Sequence, residues 1–529
     1  MAKTNSPVTY NAAGYVQGSL KWAIAFTAAL GAILEVIDTS IVNVALTEIQ
    51  ATLGATVSEI GWVVTGYAIA NVILIPLSAW LGDFFGKKNY FVFSLVGFTL
   101  ASVLCGLSPN LLFLIIARIL QGLFGGGLLA KAQAILFETF PPAEQGVAQS
   151  VFGVGVIAGP AIGPTLGGYL TDNLGWRWIF FINLPVGIAA VVMAILFLRP
   201  DPPKTQRSKQ TVDWWGIGLL AIAIGSLQTV LEEGEKNDWF NSNFITFLAI
   251  AAVVVLGLFI WRELTTKAPA VDLRVLRHRS LAAGSFYSGI LGMGLYGTLF
   301  AVPLFTQGIL GFSATQTGWL LAPGALTSAI AMVLLGKIST KIDARILIGL
   351  GAIGSSLVMF QLANITPQTG SDDLFLPLVW RGGVTVLMFL PLSLATLGSL
   401  PKHEISAGSG FYNLTRQLGG SIGIAILTTI LVQREAYHQA VLLAKLTPDN
   451  PQTQARLAML NSLFQNQGAD AITANQQALA VLMRSVNIQA AVLSYADIFR
   501  VVGVLFLCSL PLLLLLSKGR GGAKAPVGH

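Results

Sequence analysis

Apolar runs of 18 or more residues recur along this chain from Trp22 onward, and each is long enough to cross the roughly 30 Å hydrocarbon core of a bilayer. Composition points the same way. Of 529 residues, 54% are hydrophobic and only 10% are charged, against about 25% charged in an ordinary soluble domain. That leaves too little polar surface to clothe a soluble globule of this size. The chain reads as an all-α integral membrane protein.

A net charge of +7 does not imply nucleic-acid binding. The basic residues sit between the apolar runs and do not cluster as a phosphate-binding face would require. Cys105 and Cys508 both fall in apolar segments, and no CxxC or His/Cys cluster exists, so neither a disulfide framework nor a metal site is indicated. No cofactor motif emerges either. There is no GxxxxGK[ST] phosphate loop, and "GVGVIAG" lies in an apolar run with no strand before it. The first 20 residues are polar, and no small-residue cleavage site follows the first run, which is therefore expected to be retained.

Fourteen spans are expected, at 22–46, 58–81, 90–107, 111–136, 147–170, 177–199, 213–231, 243–262, 281–306, 314–336, 345–364, 374–399, 406–431 and 497–517. An even number places both termini on one side. Most lysines and arginines fall in the tails and in the even-to-odd connections, so the positive-inside bias predicts cytoplasmic termini. The chain also repeats. Gly86, in the turn after the second span, answers to Asp343 after the tenth. Arg118 answers to Arg381, and Gly159 to Gly419, at offsets of 257, 263 and 260 residues. Two parallel six-helix halves about a midplane site are a known carrier plan. The expected division is residues 1–200, two inserted spans in 201–271, and a second half in 272–529. Within that second half, the long polar segment 432–496, rich in Gln, Asn and Ala, is expected outside the membrane opposite the termini. It is either a solvated helical cap or a docking surface.

Glu35 and Asp38 are the only charged residues between Trp22 and Leu46. An acid near the centre of a spanning helix costs roughly 2.5–3.5 kcal/mol, and such acids mark ion or proton paths. Burial disfavours the charged form of a carboxyl, so a buried acid can pick up a proton and lose it on meeting water. The two acids share a helix face at i, i+3. Arg118 lies at a comparable depth and stays charged at any relevant pH, so it is the expected partner of Asp38. A fixed ion pair that serves packing is the other reading. Arg381 and Arg416 lie at similar depths in the second half, while Lys131 is expected to snorkel to the membrane surface.

Gly155, Gly159, Gly163 and Gly167 form a stripe that permits close helix packing, interrupted by Pro160 and Pro164, which favour a bend. In "LGDFFGKK", Asp83 can accept backbone donors and Gly86 permits the turn. Candidate cavity liners are Trp62, Tyr67 and Asn71 on the second span, with Tyr287, Tyr296 and Gln307 on or just beyond the ninth. Aromatic faces of this kind hold apolar molecules and attract cations.

Taken together, "LEVIDTSIVNVAL", "ARILQGLFGGG", "GVGVIAGPAIGPTLGGYL", "WRWIFFINLPVG", "APAVDLRVLRHR" and "FYNLTRQLGGSIG" resemble the 14-helix drug:proton antiporters of the major facilitator superfamily, EmrB/QacA type. The similarity runs from about residue 20 to 517. The resemblance implies the major facilitator fold in a bacterial inner membrane, with two helices inserted between six-helix halves. It implies proton-coupled export of hydrophobic or amphiphilic drug-like compounds by alternating access. Asp38 matches the motif aspartate of coupling or cationic-drug recognition, with Glu35 beside it. Arg118, Gln121 and Gly122 match "RxxQG". Gln121, Arg381, Asn413 and Arg416 join the candidate substrate contacts, and "GPAIGPTLGG" is close to the antiporter motif. Phe84 and Ala79 depart from the superfamily's turn, where arginine and glycine are usual. The segment beginning "QREAYHQA" is similar to that of family members that work with a periplasmic adaptor and an outer-membrane channel. The alternative is an exporter or symporter of one metabolite, siderophore or lipid on the same fold. Single charges at one depth, instead of a charged ring, argue against a channel. The four histidines fall outside the expected spans, which argues against a membrane metalloenzyme.

Overall fold

The computed structural model describes residues 15–199, 212–447 and 449–516. Both tails, and the 200–212 connection apart from Val212, lie outside these residues. Helices dominate, as they must where backbone amides have no water to bond. They are α1 (Leu20–Leu53), α2 (Val57–Phe85), α3 (Lys87–Gly106), α4 (Leu111–Gly125), α5 (Leu128–Thr139), α6 (Gln145–Leu174), α7 (Trp178–Phe181), α8 (Asn183–Phe197), α9 (Trp214–Glu233) and α10 (Asn243–Thr265). There follow α11 (Arg279–Gly308), α12 (Ala314–Ile338), α13 (Ala344–Leu362), α14 (Ser371–Leu397), α15 (Ile405–Leu443), α16 (Pro451–Asn466) and α17 (Ala471–Ser509). Among the described residues thirteen segments are long and apolar enough to cross a bilayer, and α6, bent by 41° in its middle, makes fourteen if it counts as one span. Each expected span falls on one of them. The chain is a multi-pass all-α membrane protein.

Three departures have local causes. The fourth span is broken at Gly126 and Gly127 into α4 and α5, and the sixth is broken at Ile182 into α7 and α8. The segment 432–496 is no loop. Its helix-forming composition lets α15 run on unbroken to Leu443, and α17 begins far upstream of the expected 497, at Ala471. Asn450 and Asp470 cap α16 and α17 with their carbonyl or carboxylate oxygens, satisfying first-turn amides. Asp497 clamps the projection. Its carboxylate accepts from Arg434 Nε at 2.6 Å, Arg500 Nη1 at 2.9 Å and His438 Nε2 at 2.9 Å. His438 thus lies in α15, not in a loop.

Helices α1–α8 pack as one bundle, and α11–α15 with α17 as a second. The two bundles meet where α6 lies along α12 and α2 along α15, while α9 flanks α2 and α15 and carries α10 on its outer side. Thr65 on α2 donates to Glu233, and Gln228 donates to Ser421 on α15, which fixes α9. Three contacts gather the chain's described ends on one face, here the terminal face: Tyr15 with Lys402, Lys21 with Glu144, and Arg345 with the Leu516 carbonyl.

The glycine stripe of α6 is the surface that receives α1. A side chain at Gly155 would run into Ile33, at Gly159 into Val36, at Gly163 into Ser40, and at Gly167 into Ile41. The second bundle repeats this seam, with Gly419 of α15 against the backbone of Gly289 and Gly423 against Met293 on α11. Gly86 turns the chain between α2 and α3 at φ +91°, a conformation costly for any residue with a Cβ.

Candidate functional site

Asp38 is fully enclosed, and each carboxylate oxygen has a donor. Oδ2 accepts from Arg118 Nη1 at 2.6 Å, and Oδ1 accepts from Gln121 Nε2 and Asn183 Nδ2, both at 2.8 Å. Arg118 also donates through Nε to the Val63 carbonyl and through Nη1 to Gln121 Oε1, and its guanidinium lies 4.1 Å from the Tyr67 ring centre. Asn183 is held in turn by Ser102 Oγ at 3.1 Å. Four helices, α1, α2, α4 and α8, therefore meet on one carboxylate and one guanidinium, and α3 supports them through Asn183. Charge-assisted bonds of this kind are the strong ones.

Glu35, one turn away, is held differently. Its Oε1 accepts from Asn71 Nδ2 at 3.0 Å, and its Oε2 from the backbone amide of Leu129 at 2.9 Å. The break at Gly126 and Gly127 makes that second bond possible. By restarting the helix at Leu128, it leaves first-turn amides free for an anion. Both partners of Glu35 thus belong to the first bundle.

A polar seam joins the bundles toward the terminal face. Gln133 on α5 donates to Ser393 on α14 at 2.9 Å, and its Oε1 accepts from Asn413 at 2.7 Å and Ser409 at 3.1 Å. Asn413 Oδ1 accepts from Arg416 Nη2 at 2.6 Å. Lys131 does not snorkel. It is 2% exposed and donates to Ser406 Oγ at 3.1 Å. The missing side chain at Gly82 makes room for its ammonium group, because α5 faces α15 and not lipid. Among the described residues no hydrogen bond or ion pair joins α1 to α11.

The expected liners scatter. Asn71 and Tyr67 belong to the acid cluster. Trp62 and Tyr296 are half-buried, Tyr296 against Gly420, and Gln307 is exposed. Tyr287 is enclosed, with its hydroxyl 2.9 Å from Ser509, and packs α11 on α17. Asp83 is exposed at the end of α2. Arg381, half-buried, instead lines a small pocket of the second bundle that Ile157 of α6 also borders. Sequence reasoning gave no role to Asn183, Gln133 or Ser102. Their one signal was a polar residue in an otherwise apolar run.

A buried charge pair in one of two helical bundles, with a polar seam between them, defines a carrier. Residues 28–424 match the family model described as Major Facilitator Superfamily, and the chain belongs to that superfamily: it is a transporter, not an enzyme. It is 35% identical to the multidrug export protein EmrB of Escherichia coli K12, over 91% of this chain and 93% of that one. To the fatty acid resistance protein FarB of Neisseria gonorrhoeae it is 31% identical, over 94% and 96% of the two chains. The crystal structure of the human transporter MFSD10 shares the fold at a TM-score of 0.55 and 13% identity, covering 92% of this chain and 99% of that one.

Proposed function

We propose that this protein exports hydrophobic or amphiphilic drug-like molecules by alternating access, exchanging them for protons at Asp38. One observation carries the reading: a carboxylate sealed in the first bundle and held by Arg118, Gln121 and Asn183, with Glu35 one turn away. Its donors come from separate helices, so a shift of α4 or α8 exchanges them for water and changes the proton affinity of Asp38. Glu35 relays the shift, because its partners sit on α2 and at the start of α5. Inward movement of one charge supplies roughly 2.3 kcal/mol per 100 mV of membrane potential.

In this reading residues 1–200 and 272–529 are the rocking halves, and 201–271 is a peripheral pair. The termini face the cytoplasm of a bacterial cell, and the polar seam is the closed cytoplasmic gate. Arg381, Asn413, Arg416 and Gln121 contact substrate or hold the gate, and Trp62 and Tyr296 flank the path. The projection formed by α15–α17 receives a periplasmic adaptor that leads to an outer-membrane channel. The similarity to a multidrug export protein supports the cargo class.

Proteoliposomes with an imposed pH gradient test the coupling. Wild-type protein should accumulate a lipophilic dye in inside-out vesicles until an uncoupler is added, and Asp38→Asn should abolish the gradient-driven component. Undiminished gradient-driven transport in Asp38→Asn reassigns the residue to packing.

A further inference from the structure

Helix α9 touches both bundles, but not in the same way. On α2 it meets Gly61, Thr65, Ile69 and Ile73, four residues apart and so one stripe of that helix. Ile69 and Ile73 lie against Gly225, and Gly61 leaves room for the Lys236 ammonium group. Glu233 closes the stripe. An acid at the last position of a helix opposes the macrodipole, and this one is buried. It is held there by Thr65 Oγ1 and Lys236 Nζ, which both donate to its Oε1 at 3.0 Å. The contact with α2 is therefore continuous and anchored.

The contact with α15 is made by single bonds between neutral groups. Gln228 Nε2 donates to Ser421 Oγ at 2.8 Å, and in the turn after α9 the Trp239 indole donates to Thr429 Oγ1 at 3.0 Å. The second bond demands strain. Asp238 and Trp239 stand at φ +54° and +49°, a conformation rare for bulky side chains and kept where the surroundings impose it.

Both bonds lie near the face opposite the terminal one, here the far face. Toward the terminal face α2 and α15 touch directly, Gly410 against the Ile75 carbonyl and Pro76. Toward the far face, among the described residues, no hydrogen bond or ion pair joins the 57–71 half of α2 to α15, and α9 is bonded to each instead.

We propose that α9 is a wedge that favours the far-open state. It rides with α2 and keeps α15 away from it, and Ser421 and Thr429 are the catches that release when the far face closes. This rests on the alternating-access reading and gives the inserted pair a part in it: setting which side is open at rest.

The test is a far-face distance, read by pulsed electron resonance between spin labels on p-acetylphenylalanine at Thr52, near the end of α1, and Gln316, in the first turn of α12. Both positions are exposed, and cysteine stays free for cross-linking in a Cys508→Ser background. The purified full chain is measured in nanodiscs, with no cargo and no gradient. The starting protein should give mainly the long distance. Ser421→Ala with Thr429→Val removes both catches and spares the α2 stripe. It should raise the ratio of short to long about fivefold to fiftyfold, the worth of two hydrogen bonds within a membrane. Tying α9 to α15 with a short bis-thiol reagent, through cysteines at Gln228 and Ser421, should abolish the short distance. Tying α9 to α2 through cysteines at Ile69 and Gly225 should leave the ratio unchanged. The ties decide the matter should the double variant fail to fold. An unchanged ratio in the double variant, a short population that survives the α15 tie, or one lost on the α2 tie would overturn the proposal. Because neither cargo nor gradient enters, such a failure leaves export and coupling standing, and a coupling failure in Asp38→Asn leaves the wedge standing.

Discussion

Asp38 was conspicuous from the start because an acid in an apolar run has to be compensated. Its partner Arg118 was predictable from matching depth, and the 2.6 Å pair between them follows that expectation. Asn183 was not, because an asparagine at the head of "NLPVG" looks like an ordinary helix start. It took the break at Ile182 to aim it at Asp38. Glu35 was visible as a charge, but its anchoring amide at Leu129 belongs to a backbone break that side-chain patterns do not encode. The energetics at this scale separate the partners. Removing one member of a buried ion pair leaves the other uncompensated, at about 3–5 kcal/mol. Losing one donor to a charged acceptor costs about 1.5–3 kcal/mol. SDS-induced unfolding should therefore rank Asp38→Ala as more damaging than Asn183→Ala. The reverse order would mean that the pair contributes less than its hydrogen-bonded support.

Among elements, the α1–α6 seam depends on what is missing from α6. Every fourth residue there is a glycine, and the side chains of α1 fill the space. Ala at Gly163 or Gly167 inserts a methyl into Ser40 or Ile41, and overpacking of this kind costs about 1–3 kcal/mol. Ala at Gly218 of α9, where nothing lies within 4 Å, should be neutral or gain up to about 1 kcal/mol in helix propensity. The same unfolding assay distinguishes the two outcomes. This stripe could be read from the sequence, since its spacing is the helical repeat. The lengths of α15 and α17 could not. Span boundaries were set where hydrophobicity fell, yet helix persists wherever helix-forming residues continue, in lipid or in water.

For the molecule as a whole, the spans were legible, because hydrocarbon thickness dictates span length. Which helices face each other across the bundles was not, because Gln133, Ser393, Ser409 and Asn413 look like unremarkable polar residues until the bundles are docked. Their seam makes a test of alternating access. With Cys508 replaced by serine, cysteines at Gln133 and Ser409, whose side chains are hydrogen-bonded at 3.1 Å, should form a disulfide under mild oxidation. Transport should stop on oxidation and return with reductant. A cross-linked protein that still transports would show that this seam does not open during turnover.

The unbroken run of α15 from the seam to Leu443 makes it a lever as well as a wall. Its last dozen residues extend about 18 Å beyond the expected membrane edge at 1.5 Å per residue. Asp497 pins that stem to α17 through Arg434 and His438. Any tilt of the second bundle is thus magnified at the projection formed by α15–α17, so a fluorophore pair between it and the far ends of α1 and α2 would read such a tilt from outside the bilayer.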